Sequence, residues 1–168
     1  MQNGSGGVSG EVVPPRVSVL LVPARVKIPL RATSKHDVLA ELVDVLVASL
    51  SLTAERDEIL QAVLERESVL STGIGGGVAL PHAKYNGLEG LVMAAGASRE
   101  PVEYEALDGR PVRLFFLLLG PERVAGAHVR ALSRVSRIVQ NESLRRRLVA
   151  ATDGEEFIRI LGEAERAG

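Results

Sequence analysis

Apolar residues recur along this chain in two alternating periods. Between residues 34 and 50, Val38, Leu39, Leu42, Val43, Leu46, Val47 and Leu50 return every three or four positions, and Ser34 with Asp37 resembles a capping box. That spacing predicts an amphipathic helix over about 34–50. Thr53 can cap a second helix with Ile59, Leu60, Val63 and Leu64 on its apolar side, ending near Arg66-Glu67 before a strand-like Ser68-Val69-Leu70. Helical spacing then stops. Residues 91–97 and 112–119 are near-continuous apolar runs, the pattern of strands buried on both faces, with Asp108-Gly109 as a turn between them. From Gly126 onward, Val129, Leu132, Val135 and Val139 mark a further helix with Arg130, Arg134 and Arg137 as its outer stripe. A last helix starts at Thr152-Asp153-Gly154-Glu155 and carries Phe157, Ile158, Ile160 and Leu161. Helices flanking strands at both ends imply an α/β fold, a three-layer sandwich in which a central mixed β-sheet has helices on both faces.

The N-terminal segment is different in kind. Residues 1–15 hold four Gly, two Ser and the pair Pro14-Pro15, which suits a tail better than a packed element. The short apolar run at 17–22, ended by Pro23, is expected to be an edge strand. The expected division is therefore a tail or extension over 1–25 and one domain over 26–168. A chain of 168 residues has room for one domain.

Composition removes several chemistries. There is no cysteine, which excludes thiol nucleophiles, disulfides and thiolate metal sites. Twenty basic residues against 21 acidic ones leave a net charge of -1, and only five aromatic side chains are present, so nucleic acid is not an expected partner. Arg145-Arg146-Arg147 and the arginine stripe read as solvated faces. The longest apolar run, residues 114–119, is far too short to span a bilayer, and residues 1–7 lack the pattern of a secretory signal. A cytoplasmic protein is expected.

The least ordinary backbone lies between Thr72 and His82. Ser71-Thr72-Gly73-Ile74-Gly75-Gly76-Gly77 puts four Gly in five positions, which lets main chain approach a ligand and aim N–H groups at an anion. Neither a P-loop nor a dinucleotide fingerprint is present, because Lys84 lies beyond Pro81-His82 and Val78 stands where a third Gly is needed. His82 follows a proline of restricted φ, and neutral imidazole can attack phosphorus directly. It is the best candidate for a covalent intermediate. His82 and His128 lack the frame of a metal site, so no metal is expected. His36 falls on a polar helix face.

Four segments in order resemble a known family. They are Leu64-Glu65-Arg66-Glu67-Ser68, the string from Ser71 to Pro81-His82, Ala106-Leu107-Asp108-Gly109-Arg110-Pro111-Val112, and Pro121-Glu122 followed by His128. Together they resemble the enzyme IIA domains of the bacterial phosphotransferase system, of the mannitol/fructose and nitrogen-regulatory class, over about 30–162. The resemblance implies that His82 accepts a phosphoryl group from an upstream phosphocarrier protein, HPr or a nitrogen-branch counterpart, without nucleotide or other cofactor. It matches Arg66 to the arginine beside the phosphorylated histidine and His128 to the second active-site histidine. Arg66 could bind phosphoryl oxygens, and His128, at a helix start whose dipole disfavours protonation, would donate a hydrogen bond. Thr72, Gly73, Gly75 and Gly77 are expected as a phosphoryl-contacting loop. Three functions follow: a regulatory protein of the nitrogen type, which is preferred; a free-standing IIA component passing phosphate to a separate IIB domain of a fructose/mannitol-type transporter; or a non-catalytic protein-binding regulator.

Overall fold

The computed structural model describes residues 16–167. Its centre is an antiparallel pair, β5 (Val92–Val102) and β6 (Val112–Gly120). The short strand β1 (Val26–Lys27) adds parallel to β5. On the other side, β3 (Val78–Ala79) and β4 (His82–Lys84) both run parallel to β6, and β2 (Gly73–Gly75) closes antiparallel on β3. The sheet is mixed, as the sequence implies.

Alternation along β6 explains why its apolar run is unbroken. Phe115, Leu117 and Leu119 pack with α1 (Lys35–Ser49) and α2 (Arg56–Val69), while Leu114, Phe116 and Leu118 face a second core. That second core is completed by α3 (Ala125–Ile138), α4 (Glu142–Val149) and α5 (Gly154–Ala167). A strand covered on both faces has no polar side to alternate with. Helices lie on both faces of the sheet, giving the three-layer sandwich. The Ser34 hydroxyl accepts from the Asp37 N–H and opens α1 at the expected place.

Other boundaries are corrected. Residues 17–22 are not an edge strand: Val17–Leu20 and Pro23–Arg25 are 3₁₀ turns, and the N–H groups of Val17 and Ser18 each donate to the Glu165 carboxylate at 2.7 Å. Val17, Leu20 and Leu21 are buried, so the segment expected as tail up to residue 25 joins the core from Val17 onward. Pro14-Pro15 and the Gly-rich stretch before it lie outside the described residues. Ser68-Val69 forms the end of α2 instead of a strand, and Val69 and Leu70 are exposed.

The buried stripe of α3 is His128, Ala131, Val135 and, at its C-cap, Val139, while Val129 is 63 % exposed. The expected Val135 and Val139 are on this face and Leu132 packs against it in part, but a reading weighted by the larger apolar side chains places Val129 inside where His128 stands. Helix α4 has no counterpart among the expected elements. Asn141 caps it by accepting from the Leu144 N–H at 3.0 Å, but it has only Leu144 and Leu148 as buried anchors among arginines. For α5, the Asp153 side chain accepts from the Glu156 N–H and Glu156 reaches back to Thr152, one position later than the expected box.

Candidate functional site

The glycines do their work in a hairpin. Gly75, Gly76 and Gly77 all have positive φ, at 99°, 65° and 79°, which turns β2 sharply into β3. A side chain at Gly73 would lie 2.7 Å from Cβ of Ala106, so that position also demands glycine. The Gly76 N–H donates to Asp108 Oδ2 at 3.0 Å, and the Gly77 carbonyl accepts from Arg113 and Leu114. Beyond β3 the buried Pro81 leads to His82, which opens β4 opposite Leu118 of β6.

His82 is half-buried, with Nδ1 2.8 Å from the Leu80 carbonyl oxygen. A carbonyl can only accept, so Nδ1 carries the proton and the lone pair resides on Nε2. Burial lowers the pKa of this imidazole; the Leu80 carbonyl opposes the shift and the Arg66 charge adds to it. The ring is neutral at pH 7 and nucleophilic.

His128 lies beside it. The two ring centroids are 5.7 Å apart, edge to face at 67°. His128 is 3 % exposed, and neither of its ring nitrogens has a hydrogen-bond partner. Its pKa is pushed down to about 4, by burial first and then by His82 and Lys84. The cause is desolvation more than the helix-start position expected from the sequence.

Arg66 stands in the last turn of α2, where Nη1 donates to the Leu70 carbonyl at 2.9 Å and caps the helix end. It lines, with His82 and Leu132, two adjoining clefts of about 510 and 420 Å³. The first extends past Thr72 and Ile74 to Arg137; the second holds His128, Lys84 and the exposed Val129. His82, Arg66 and His128 are therefore brought together from three elements.

The expected phosphoryl-contacting loop is distributed differently. Thr72 lines the His82 cleft, but its hydroxyl donates to Glu67 Oε2 at 2.5 Å and lies 3.0 Å from the Tyr104 hydroxyl. Gly73, Gly75 and Gly77 line neither of the two clefts, and the hairpin uses their conformations. What sequence reasoning missed is Glu67 itself, 7 % exposed and paired with Lys35 Nζ at 2.9 Å. One signal was available: Glu67 follows Ile59, Leu60 and Val63 on the buried stripe of α2, where a charge needs partners. Among the described residues no group of three or more His, Asp or Glu could hold a metal ion, and no helix is long and apolar enough to cross a membrane.

Two histidines and an arginine meet in adjoining clefts of an α/β sandwich, with one neutral imidazole presenting a lone pair, an arrangement with the groups that could receive a phosphoryl group. Residues 20–164 match the family described as phosphoenolpyruvate-dependent sugar phosphotransferase system, EIIA 2, and the chain belongs to that family. It is a phosphotransfer component of the EIIA type. A nitrogen regulatory protein of Bradyrhizobium diazoefficiens is 31 % identical over 146 residues, covering 86 % of this chain and 94 % of that protein. A fructose-specific EIIABC component of Bacillus subtilis is 34 % identical over 151 residues, 90 % of this chain; the chain spans 24 % of that longer protein. The crystal structure of the nitrogen regulatory protein IIA-Ntr of Neisseria meningitidis superposes with a TM-score of 0.80 at 32 % identity, covering 86 % of this chain and 98 % of that one.

Proposed function

We propose that this protein is a cytoplasmic phosphocarrier of the nitrogen-regulatory type, which takes a phosphoryl group onto Nε2 of His82 from a phosphorylated HPr-like protein. The observation that carries the reading is the pairing of His82, held as its Nδ1–H tautomer by the Leu80 carbonyl, with a buried, unpartnered His128 5.7 Å away. Nε2 attacks phosphorus as the P–N bond to the donor imidazole breaks. The bond pair stays on the donor ring, whose other nitrogen holds the proton that leaves it neutral, and His82 keeps its own proton on Nδ1. No nucleotide takes part.

The remaining groups act by position and charge. His128 donates an N–H to the transferred group, replacing the hydrogen bond its buried ring lacks. Arg66, already tethered at Leu70, offers its other N–H groups to the phosphoryl oxygens. Arg66→Ala is expected to fold normally and to slow transfer by about 10- to 150-fold, the equivalent of one charge-assisted hydrogen bond. Unchanged single-turnover kinetics would return Arg66 to helix capping alone.

The regulatory reading draws support from the 31 % identical nitrogen regulatory protein and from the 0.80 TM-score to IIA-Ntr. In it, added negative charge beside His82 changes which proteins this surface binds. The second reading, donation to a IIB domain of a fructose-type transporter, is favoured by the 34 % identity to the Bacillus component. Incubation with phosphoenolpyruvate, enzyme I and carrier protein should give an acid-labile, base-stable mass increase, retained when candidate IIB domains are added. Rapid loss of the label to one sugar-specific IIB domain would favour transport over regulation.

A further inference from the structure

A chain of hydrogen bonds runs from the interior to the reactive histidine. The Glu67 carboxylate accepts from the Thr72 N–H at 2.9 Å and from the Thr72 hydroxyl at 2.5 Å. The Thr72 carbonyl accepts from the Leu80 N–H at 2.9 Å, and the Leu80 carbonyl accepts from His82 Nδ1–H at 2.8 Å. Each link crosses between elements: the last turn of α2, the entry to β2, the segment after β3 and the start of β4.

The inner end of this chain is itself held. Lys35 Nζ reaches Glu67 Oε1 at 2.9 Å and lies 4.6 Å from the centre of the Tyr104 ring, while the Tyr104 hydroxyl donates to Glu67 Oε2 at 3.2 Å. Burial alone would raise the Glu67 pKa, but the bonds from Thr72 and Lys35 outweigh it and hold the carboxyl below its ordinary value. It is a buried anion held by donors from Thr72, Tyr104 and Lys35.

We infer that Glu67 is a positioning residue for His82, acting through Thr72 and the Leu80 carbonyl to lock the imidazole in the Nδ1–H tautomer with Nε2 free. The inference rests on the reading of His82 as phosphoryl acceptor. It gives the Thr72 hydroxyl a role one step removed from the phosphoryl group. Helix packing alone does not require such an arrangement, since replacing a buried ionic cluster by apolar residues is often neutral or stabilising. A carboxylate that aligns the peptide units leading to a nucleophile gives the cluster a use, because a backbone carbonyl held in place sets both tautomer and ring orientation.

The test uses the full chain with Glu67→Gln, Thr72→Val and Thr72→Ser, measured by two methods. In ¹⁵N NMR of the imidazole nitrogens, wild type should show His82 as the Nδ1–H tautomer, with a mixed population in Glu67→Gln and Thr72→Val and restoration in Thr72→Ser. In phosphotransfer, Thr72→Val should lower kcat roughly tenfold with KM for the phosphorylated carrier unchanged, and Thr72→Ser should recover it. Wild-type tautomer and kcat in Thr72→Val overturn the inference and leave the cluster as a fold-stabilising contact, whatever happens to Tm. Should Glu67→Gln fail to fold, the Thr72 pair decides. The tautomer measurement needs no donor protein. A wild type that accepts no phosphoryl group would therefore overturn the proposed function, while the ¹⁵N spectra of the variants still decide whether Glu67 sets the His82 tautomer.

Discussion

His82→Ala protein, incubated with phosphoenolpyruvate, enzyme I and a carrier protein, takes up no phosphoryl group. Loss should be complete, because no other side chain can substitute. Cysteine is absent from the chain. His36 has a side chain 65 % exposed beside Asp37 at the start of α1 and lines neither cleft around His82. His128 is near, but its ring is 3 % exposed and a donor histidine cannot reach it in line. Intact-mass spectrometry under alkaline conditions reads the result directly. Acid-labile label persisting in His82→Ala would move the nucleophile to His128 and reverse the two roles. Circular dichroism and thermal melting of the variant control for folding: His82 is half-buried, and its alanine variant is expected to keep the wild-type spectrum.

The second large effect is on stability against pH. His128 is neutral in the folded state with a pKa pushed down to about 4, whereas the unfolded chain titrates at the ordinary value of about 6.5. Between those values the unfolded state binds the extra proton, so acid favours unfolding. The stability contributed by keeping this ring neutral is fully present above pH 6.5 and is lost as the pH falls from 6.5 to 4, by about 2–3 kcal/mol. Urea-unfolding curves collected from pH 8 to pH 4 should therefore fall more steeply for wild type than for His128→Leu. At pH 8 the leucine variant should be no less stable, since it removes two buried nitrogens that lack partners. Parallel curves for the two proteins would mean that His128 titrates alike in the folded and unfolded chain, and would remove the shift that burial is argued to cause. His82 contributes in the same direction, because its pKa is also lowered, but both proteins retain it.

Which features were legible beforehand follows from how far each signal reaches along the chain. Helix α1 was readable because six buried residues and an N-cap serine sit within one amphipathic stretch. Strands β5 and β6 were readable because burial on both faces leaves an apolar run. Helix α4 was not, since two leucines among three arginines make no visible stripe and its stability comes from packing against α5 and the sheet. The 17–22 run looked like a strand because only the folded chain brings Glu165 to its N–H groups. Ser68-Val69-Leu70 looked like a strand, yet α2 runs on through Val69 and the side chains of Val69 and Leu70 are exposed.

The same division holds at the site. Local sequence alone singled out His82, and the glycine run as a sharp turn, because histidine chemistry and positive-φ backbone are properties of residue types in short strings, whereas Arg66 and His128 were reached only through the resemblance of four ordered segments to a known family. Only the packed chain decided that the glycines shape a hairpin away from the cleft, that the Thr72 hydroxyl belongs to Glu67, and that His128 is neutral through burial. Those are consequences of residues 5 to 46 positions apart becoming neighbours, such as Glu67 with Thr72 and His82 with His128. A desolvated ring or a buried carboxylate acquires its partners and its protonation state from that environment; periodicity marks that Glu67 is buried but not which groups hold it.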